Sequence, residues 1–292
     1  ITTGNVADIT DAKLAEITIK TGSGNDEISL ASIVTGDHIS LDAGAGNDKV
    51  TVHTSMVGAS TGVHGDVLEG GAGTDAILAL SATANGQGDV SSAGSITGFE
   101  ELTITDALGE NITPGNYQTG IHTVNLAAGS DAAVTIAFAA GDSTVDLEAA
   151  LAGGALTVSA AGSATTDSLT LNNAGGTSSL GISATGNQSL TLTGIETLTY
   201  NSTGVADSKA QEQLINAVDL SGVSTGGTAT VNFSGANAIT TKASTGIITA
   251  QVVDASALTN KLTMNVAMES TAASTGSATL TGGSGNDTLK GD

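Results

Sequence analysis

The sequence predicts an all-β fold, a right-handed parallel β-solenoid with one short helix, and three observations lead there. Glycine-rich nine-residue segments recur with an apolar residue in a fixed place. Between them Val, Ile, Leu and Thr alternate in short bursts of period two, the signature of half-buried strands. The composition, 40 Gly with 39% hydrophobic and only 2% aromatic residues, suits a narrow, extended core of small side chains whose coils stack about 4.8 Å apart. So few aromatics would fit disorder if apolar residues were also scarce, and they are not. The 292 residues suffice for two conventional domains or one long solenoid. They divide by pattern into a repeat-rich region (1–95), a Thr/Ala/Ser/Gly-rich region (96–275) and the start of a second repeat-rich region (276–292).

Taken in order, residues 1–20 hold Asp8, Asp11 and a strand, Glu16–Lys20, that feeds the first nonapeptide. That segment is Thr21-Gly22-Ser23-Gly24-Asn25-Asp26-Glu27-Ile28. Further copies follow at Ala43-Gly44-Ala45-Gly46-Asn47-Asp48-Lys49-Val50-Thr51 and Gly70-Gly71-Ala72-Gly73-Thr74-Asp75-Ala76-Ile77-Leu78, and a complete one at Gly282-Gly283-Ser284-Gly285-Asn286-Asp287-Thr288-Leu289-Lys290. Gly291-Asp292 resembles the opening of one more, cut off, so the chain is expected to be a piece of a longer protein. The pattern is G-G-x-G-x-D-x-U-x, with U a large apolar residue.

Each position has a mechanical reading. Glycines admit positive φ, so a tight turn can aim several carbonyls inward. The Asp adds charged oxygen to that concavity, and Ca²⁺ accepts six to eight such hard donors at roughly 2.3–2.6 Å. The apolar residue two places on begins a strand and packs inside. One nonapeptide makes half a coil, so ligands for one ion must come from stacked neighbours. The eighteen-residue step from Asp48 to Asp66 is therefore expected to set those carboxylates on the same side of consecutive coils. The candidate calcium residues are Gly22, Gly24 and Asp26; Gly44, Gly46 and Asp48; Gly71, Gly73 and Asp75; Gly283, Gly285 and Asp287; and Asp37, Asp42, Asp66 and Asp292 in the gaps and flanks. Several ions are expected. Steps of 22 residues from Asp26 to Asp48 and 27 from Asp48 to Asp75 make the coils irregular, with Thr54 to Gly62 bulging from one end.

These nonapeptides resemble the RTX (repeats-in-toxin) family, and the resemblance implies a β-roll with Ca²⁺ in its turns. From about Ile96 a second unit takes over. Ile96-Thr97-Gly98-Phe99-Glu100-Glu101-Leu102-Thr103-Ile104 is echoed by Leu192-Thr193-Gly194-Ile195-Glu196-Thr197-Leu198-Thr199-Tyr200, and more loosely by Gly120–Leu126. The shared Gly-apolar-Glu-x-Leu-Thr turns the chain and starts a strand. Similar units flank the nonapeptides of RTX-type bacterial surface-layer (S-layer) proteins of the Caulobacter kind. That resemblance implies type I secretion, Ca²⁺-triggered folding outside the cell and a lattice of identical subunits bridged by Ca²⁺. Attachment to cell-surface polysaccharide would reside in a region outside this chain.

Beyond Glu100, strands are expected at Val124–Leu126, Val134–Phe138, Leu156–Ser159, Leu169–Leu171 and Leu190–Leu192. Asp131, Asp142, Asp167 and Asp254 near strand ends are secondary calcium candidates. Ser208-Lys209-Ala210-Gln211 fits a capping box, and Leu214, Ile215 and Val218 follow at helical spacing, which predicts the one helix. Strands return at Thr228–Phe233, Ile247–Val253, Lys261–Val266 and Ser277–Leu280.

Charge narrows the partners. Against 29 acidic residues stand 7 basic ones, all Lys, for a formal charge of −22. Such a field repels nucleic acid and anionic lipid and attracts cations. No run of 18 apolar residues exists, so no membrane span is expected. The absence of Cys is compatible with an oxidising compartment. His38, His53 and His64 follow no zinc-ligand spacing, and no nucleophile elbow or triad can be assembled. The expected role is therefore structural and not enzymatic: a secreted, cell-surface S-layer subunit. The alternatives are the stalk of a large RTX adhesin and the calcium-binding tail of a secreted hydrolase.

Overall fold

The computed structural model describes residues 17–31, 38–52, 66–81, 95–118, 120–149, 151–152, 154–174, 189–203, 212–215, 217–223, 226–241, 247–268 and 279–291. Asp37, His53, His64, the Thr54–Gly62 insertion, Ser208–Gln211 and Asp292 lie outside them. The fold is a parallel β-solenoid, and every registered strand pair is parallel. The chain forms two compact units, residues 1–106 with 112–125 and residues 107–111 with 126–292.

The first unit contains β1 (Ile17–Lys20), β2 (Glu27–Ser29), β3 (Ile39–Asp42), β4 (Lys49–Thr51), β5 (Val67–Glu69), β6 (Ala76–Ala79), β7 (Ser95–Thr97), β8 (Glu101–Ile104) and all but the last residue of β9 (Thr123–Leu126). Odd-numbered strands stack as β1-β3-β5-β7, and even-numbered ones as β2-β4-β6-β8 with β9 following. One coil thus holds a strand from each ladder and the two turns between them. Alternation does the sorting. Ile28, Val50, Ile77 and Leu102 occupy one register column and all are buried. Leu41, Leu68 and Ile96 form the facing column. Successive residues of a strand point to opposite faces, so the intervening residues Ser40, Val67 and Thr51 remain partly exposed.

The second unit begins its strands with β10 (Val134–Phe138), β11 (Ser143–Leu147), β12 (Leu156–Ala160), β13 (Ser168–Asn173), β14 (Leu190–Thr193) and β15 (Thr197–Ser202). It continues with β16 (Glu212–Ile215), β17 (Val218–Gly222), β18 (Thr230–Gly235), β19 (Ala238–Thr241), β20 (Ile247–Ala250), β21 (Val252–Leu258), β22 (Leu262–Met268), β23 (Thr279–Thr281) and β24 (Thr288–Gly291). Leu169, Leu198, Val231 and Val253 stack through β13, β15, β18 and β21, all buried. Alongside, Leu171 stacks on Tyr200 and Tyr200 on Phe233, with the two ring centroids 5.7 Å apart. Burial pushes the Tyr200 hydroxyl above the usual phenol range, and the Asn173 amide donates to it.

Two sequence expectations fail here. The helix expected after Ser208 is absent where the chain is described: Glu212–Ile215 and Val218–Gly222 are strands. Val218 and Leu220 are both buried, with half-buried Asp219 between them, a period of two. Spacings of one and four residues among Leu214, Ile215 and Val218 are ambiguous over so short a run. Neighbouring rungs decide it, since β14 and β20 flank β17 and β19 pairs with β16. The stretch Ile247–Val253 is likewise two strands, because the chain turns a corner at Gln251 and passes from one ladder to the other. The solitary Pro starts a short 3₁₀ turn, Pro114–Asn116, where its missing N–H costs nothing.

These columns make a clean mutational contrast. Leu198→Ala should lower stability by about 2–5 kcal/mol, because it opens a void between Leu169 and Val231. Thr199→Ala, on the outward side of the same strand, should cost no more than about 0.5 kcal/mol. Urea denaturation midpoints of the two variants check this.

A column of carboxylates in the glycine turns

The candidate site is the turn leading into β2, β4, β6 and β8. In each nonapeptide the Gly-x-Gly run bends the chain, and the Asp is the residue immediately before the strand. Because Glu27, Lys49, Ala76 and Glu101 share one register, the residues preceding them stack too: Asp26, Asp48, Asp75 and Glu100. Ser23, Ala45 and Ala72 form a column of bridges through the turns. The Ala45 amide donates to the Gly22 carbonyl at 2.8 Å, and Ala72 to that of Gly44 at 2.9 Å. Approach is close enough to require glycine. With φ of +96° at Gly44 and +109° at Gly71, a β-carbon on either would lie 1.9 Å from a carbonyl oxygen of the preceding turn.

Side chains tie the turns together in both directions. Asp48 Oδ1 accepts the Asp26 amide at 2.8 Å, Asp75 Oδ1 the Asp48 amide at 2.7 Å, and Glu100 Oε2 the Asp75 amide at 2.9 Å. Each acid thus clasps the coil before it. The Asn preceding the Asp clasps the coil after it: Asn25 Oδ1 accepts the Asn47 amide, and Asn47 Oδ1 the Thr74 amide. Amides at the corners, beyond reach of the strand ladders, are satisfied in this way.

The electrostatics are unfavourable as they stand. Asp48 and Asp75 are fully buried, and the second carboxylate oxygen of each, Oδ2, has no hydrogen-bond partner among the described residues. Burial raises the Asp75 carboxyl above the usual range. The Asp48 amide bond opposes that rise, and the negative charges of Asp48 and Glu100 add to it. Among the described residues the one ion pair is Lys20 with Asp42, 3.2 Å apart and well exposed, and worth little at such exposure. Buried, unpaired carboxylate oxygens beside stacked glycine carbonyls are a donor set suited to a hard cation, and Ca²⁺ fits it. No group of three or more His, Asp or Glu side chains that could hold a metal occurs among the described residues. Backbone carbonyls must therefore supply the balance of the donors. When bound, the ion supplies the positive charge that the column lacks.

The other sequence candidates fall elsewhere. Asp66 precedes β5 in the other ladder, and its Oδ1 accepts the Ile39 amide at 2.8 Å. Asp48 and Asp66 are therefore not on the same side of consecutive coils. Stacked carboxylates are separated by 22, 27 and 25 residues, because a full coil here is longer than two nonapeptides. Asp42 is the last residue of β3, stacked between Lys20 and Glu69. Asp287 stands before β24 and its Oδ1 accepts the Leu262 amide. The turn holding it, with Gly283 and Gly285, packs on Leu258–Lys261, which is not a nonapeptide. Asp131 and Asp142 are exposed. Asp254 lies within β21, and its carboxylate accepts the Ser256 amide at 2.8 Å, which holds it below the usual range. His38, the one sequence-flagged histidine among the described residues, joins no cluster able to hold a metal.

Sequence reasoning missed Glu100. It also missed the same device in the second unit, where Asp167 Oδ1 accepts the Gly141 amide and Glu196 Oε2 the Asp167 amide. Two coils beyond Glu196, Gln251 Oε1 accepts the Ala229 amide. A signal was present: Gly98-Phe99-Glu100-Glu101-Leu102 and Gly46-Asn47-Asp48-Lys49-Val50 share the spacing Gly-x-acid-x-apolar.

Comparison with known families finds the RTX calcium-binding nonapeptide repeat (four copies) matching residues 273–292. No curated protein and no solved structure matches the chain. The matched segment contains the Gly282–Lys290 copy, and the turns at Gly22, Gly44 and Gly71 repeat its pattern. The matched segment carries an RTX calcium-binding repeat, and such repeats take several Ca²⁺ ions.

The raised Asp75 carboxyl gives a signed pH response in metal-free protein. An acid whose folded value exceeds its unfolded one, ordinarily 3.8, contributes stability that is full below the unfolded value. That contribution is lost as pH rises through the folded value. Metal-free melting temperature should therefore rise on acidification from pH 7 toward that range. Asp75→Asn, whose amide oxygen can still accept the Asp48 N–H, should flatten this part of the profile. It should also reduce the stabilisation that added Ca²⁺ confers. Thermal melts across pH, with and without Ca²⁺, test all three outcomes.

Proposed function

We propose that this chain is a structural, calcium-dependent component of a secreted bacterial surface layer, folding and then assembling with Ca²⁺. The observation that carries the calcium dependence is the Asp48–Asp75 column, fully buried with an unpartnered oxygen on each carboxylate. Removing such charges from water is costly unless a counter-ion is present. Ion binding to the folded turns then becomes folding free energy. Proteins with these repeats are typically secreted, and Ca²⁺ outside cells is abundant enough to drive the reaction there.

Assembly is supported by what faces outward. On β11, β13, β15 and β18 the outward residues form a polar ladder: Asn172 donates to Asp146 at 2.7 Å, Asn201 to Asn172 at 3.3 Å and Ser234 to Asn201 at 3.2 Å. Threonines 144, 170 and 199 form a parallel column beside it. Small side chains on a regular ladder allow close approach of another chain, while the formal charge of −22 opposes it. Divalent ions shared between carboxylates and carbonyls of two copies would reverse that repulsion. Neighbouring copies are thus the partners in this reading, and no catalytic step is assigned.

Two calcium-dependent events should separate on titration. Circular dichroism should report β-structure at low Ca²⁺, and light scattering should report assembly at higher Ca²⁺. A protein that folds with Ca²⁺ but stays monomeric at millimolar Ca²⁺ and high protein concentration would favour an adhesin stalk or an enzyme's calcium-binding tail.

A further inference from the structure

We infer that Glu100 and the Gly70–Asp75 turn form a calcium site outside the nonapeptide pattern, with Glu100 standing in for the Asp of a missing fourth N-terminal repeat. This assignment rests on the calcium reading proposed above. The chain leaves the nonapeptides after Asp75, yet the next turn, Gly98-Phe99-Glu100, docks as another repeat would. Glu101 pairs in register with Ala76, and the Gly70 amide donates to the Thr97 carbonyl at 2.9 Å. A β-carbon on Gly70 would lie 2.0 Å from the Gly98 carbonyl oxygen and 2.9 Å from Asp75 Cβ. The carbonyl and the Asp75 side chain therefore crowd the same spot. Asp75 is fully buried and its Oδ2 is an oxygen within this turn that nothing among the described residues satisfies.

Glu100 uses Oε2 for the Asp75 amide. A Glu is one methylene longer than an Asp. That length lets it reach the same amide from a turn in which buried Phe99 occupies the place of the nonapeptide's polar residue. Its carboxylate, Asp75 Oδ2 and carbonyls of the Gly70–Gly73 turn are the oxygen donors the site offers. The second unit provides a contrast. Glu196 also accepts an aspartate amide, that of Asp167, but the residues before Asp167, Ala164-Thr165-Thr166, contain no Gly-x-Gly turn to present carbonyls.

Ion counting on the whole 292-residue chain tests the assignment, by equilibrium dialysis against Ca²⁺ followed by atomic absorption. Glu100→Gln keeps an acceptor for the Asp75 amide and removes the charge. The expected result is one Ca²⁺ fewer per chain with β-structure retained in excess Ca²⁺, while Glu196→Gln leaves the count unchanged. An unchanged count in folded Glu100→Gln overturns the inference, as does an equal loss in Glu196→Gln. Should Glu100→Gln fail to fold, Glu100→Asp decides: a higher calcium midpoint supports the site and an unaltered one overturns it. A wild-type chain that binds no Ca²⁺ removes the calcium reading itself, an outcome distinct from losing this one site.

Discussion

An acidic side chain placed just before a strand and hydrogen-bonded to the backbone amide of the preceding coil is the interaction on which this structure depends. A parallel ladder satisfies the amides of its strands, but at the corners the chain turns away and those groups lose their partners. Asp48, Asp75, Glu100, Asp167 and Glu196 carry the ladder around the corner. A bond from a backbone amide to a charged acceptor is worth roughly 1.5–3 kcal/mol, more than a neutral one. The same choice stacks negative charge on negative charge, coil after coil. Closing the coil and needing a cation are thus two consequences of one residue.

The two units meet that constraint differently. In the stacked nonapeptide turns the acids are short, Asp48 and Asp75 are fully buried, and glycines bring adjacent turns into contact, so oxygen accumulates with no positive group among the described residues to balance it. In the second unit the turns that carry Asp167, Glu196 and Gln251 lack the Gly-x-Gly run, and beyond Glu196 the column reaches Ala229, whose amide is taken by the neutral Gln251. An amide oxygen serves the backbone as a carboxylate does and adds no charge. Dependence on the ion is accordingly concentrated where the glycine turns stack, and the rest of the solenoid relies on its aliphatic columns and on the Tyr200–Phe233 contact.

Much of this was legible in the chain. Period-two alternation located most strands, since a residue's side of a ladder follows from parity alone, and the nonapeptides marked the turns that gather Asp26, Asp48 and Asp75. Glycine, asparagine and aspartate are informative there because few other residues tolerate those backbone angles or bond so locally. Where alternation was too short to outvote another period, as at Leu214, Ile215 and Val218, the reading went to a helix.

What the sequence by itself determined, then, was the kind of rung and the kind of turn, because both are set within about nine residues. Which rungs lie above one another was decided only in the tertiary structure. Coil length depends on insertions that leave no periodic trace, so Asp48 stacks on Asp26 and Asp75 and not on Asp66. Glu100 joins the column because a docked turn brings it there, although Phe99 and a longer acid disguise the repeat. Register between coils is a long-range property, fixed by the sum of many amide bonds and buried columns.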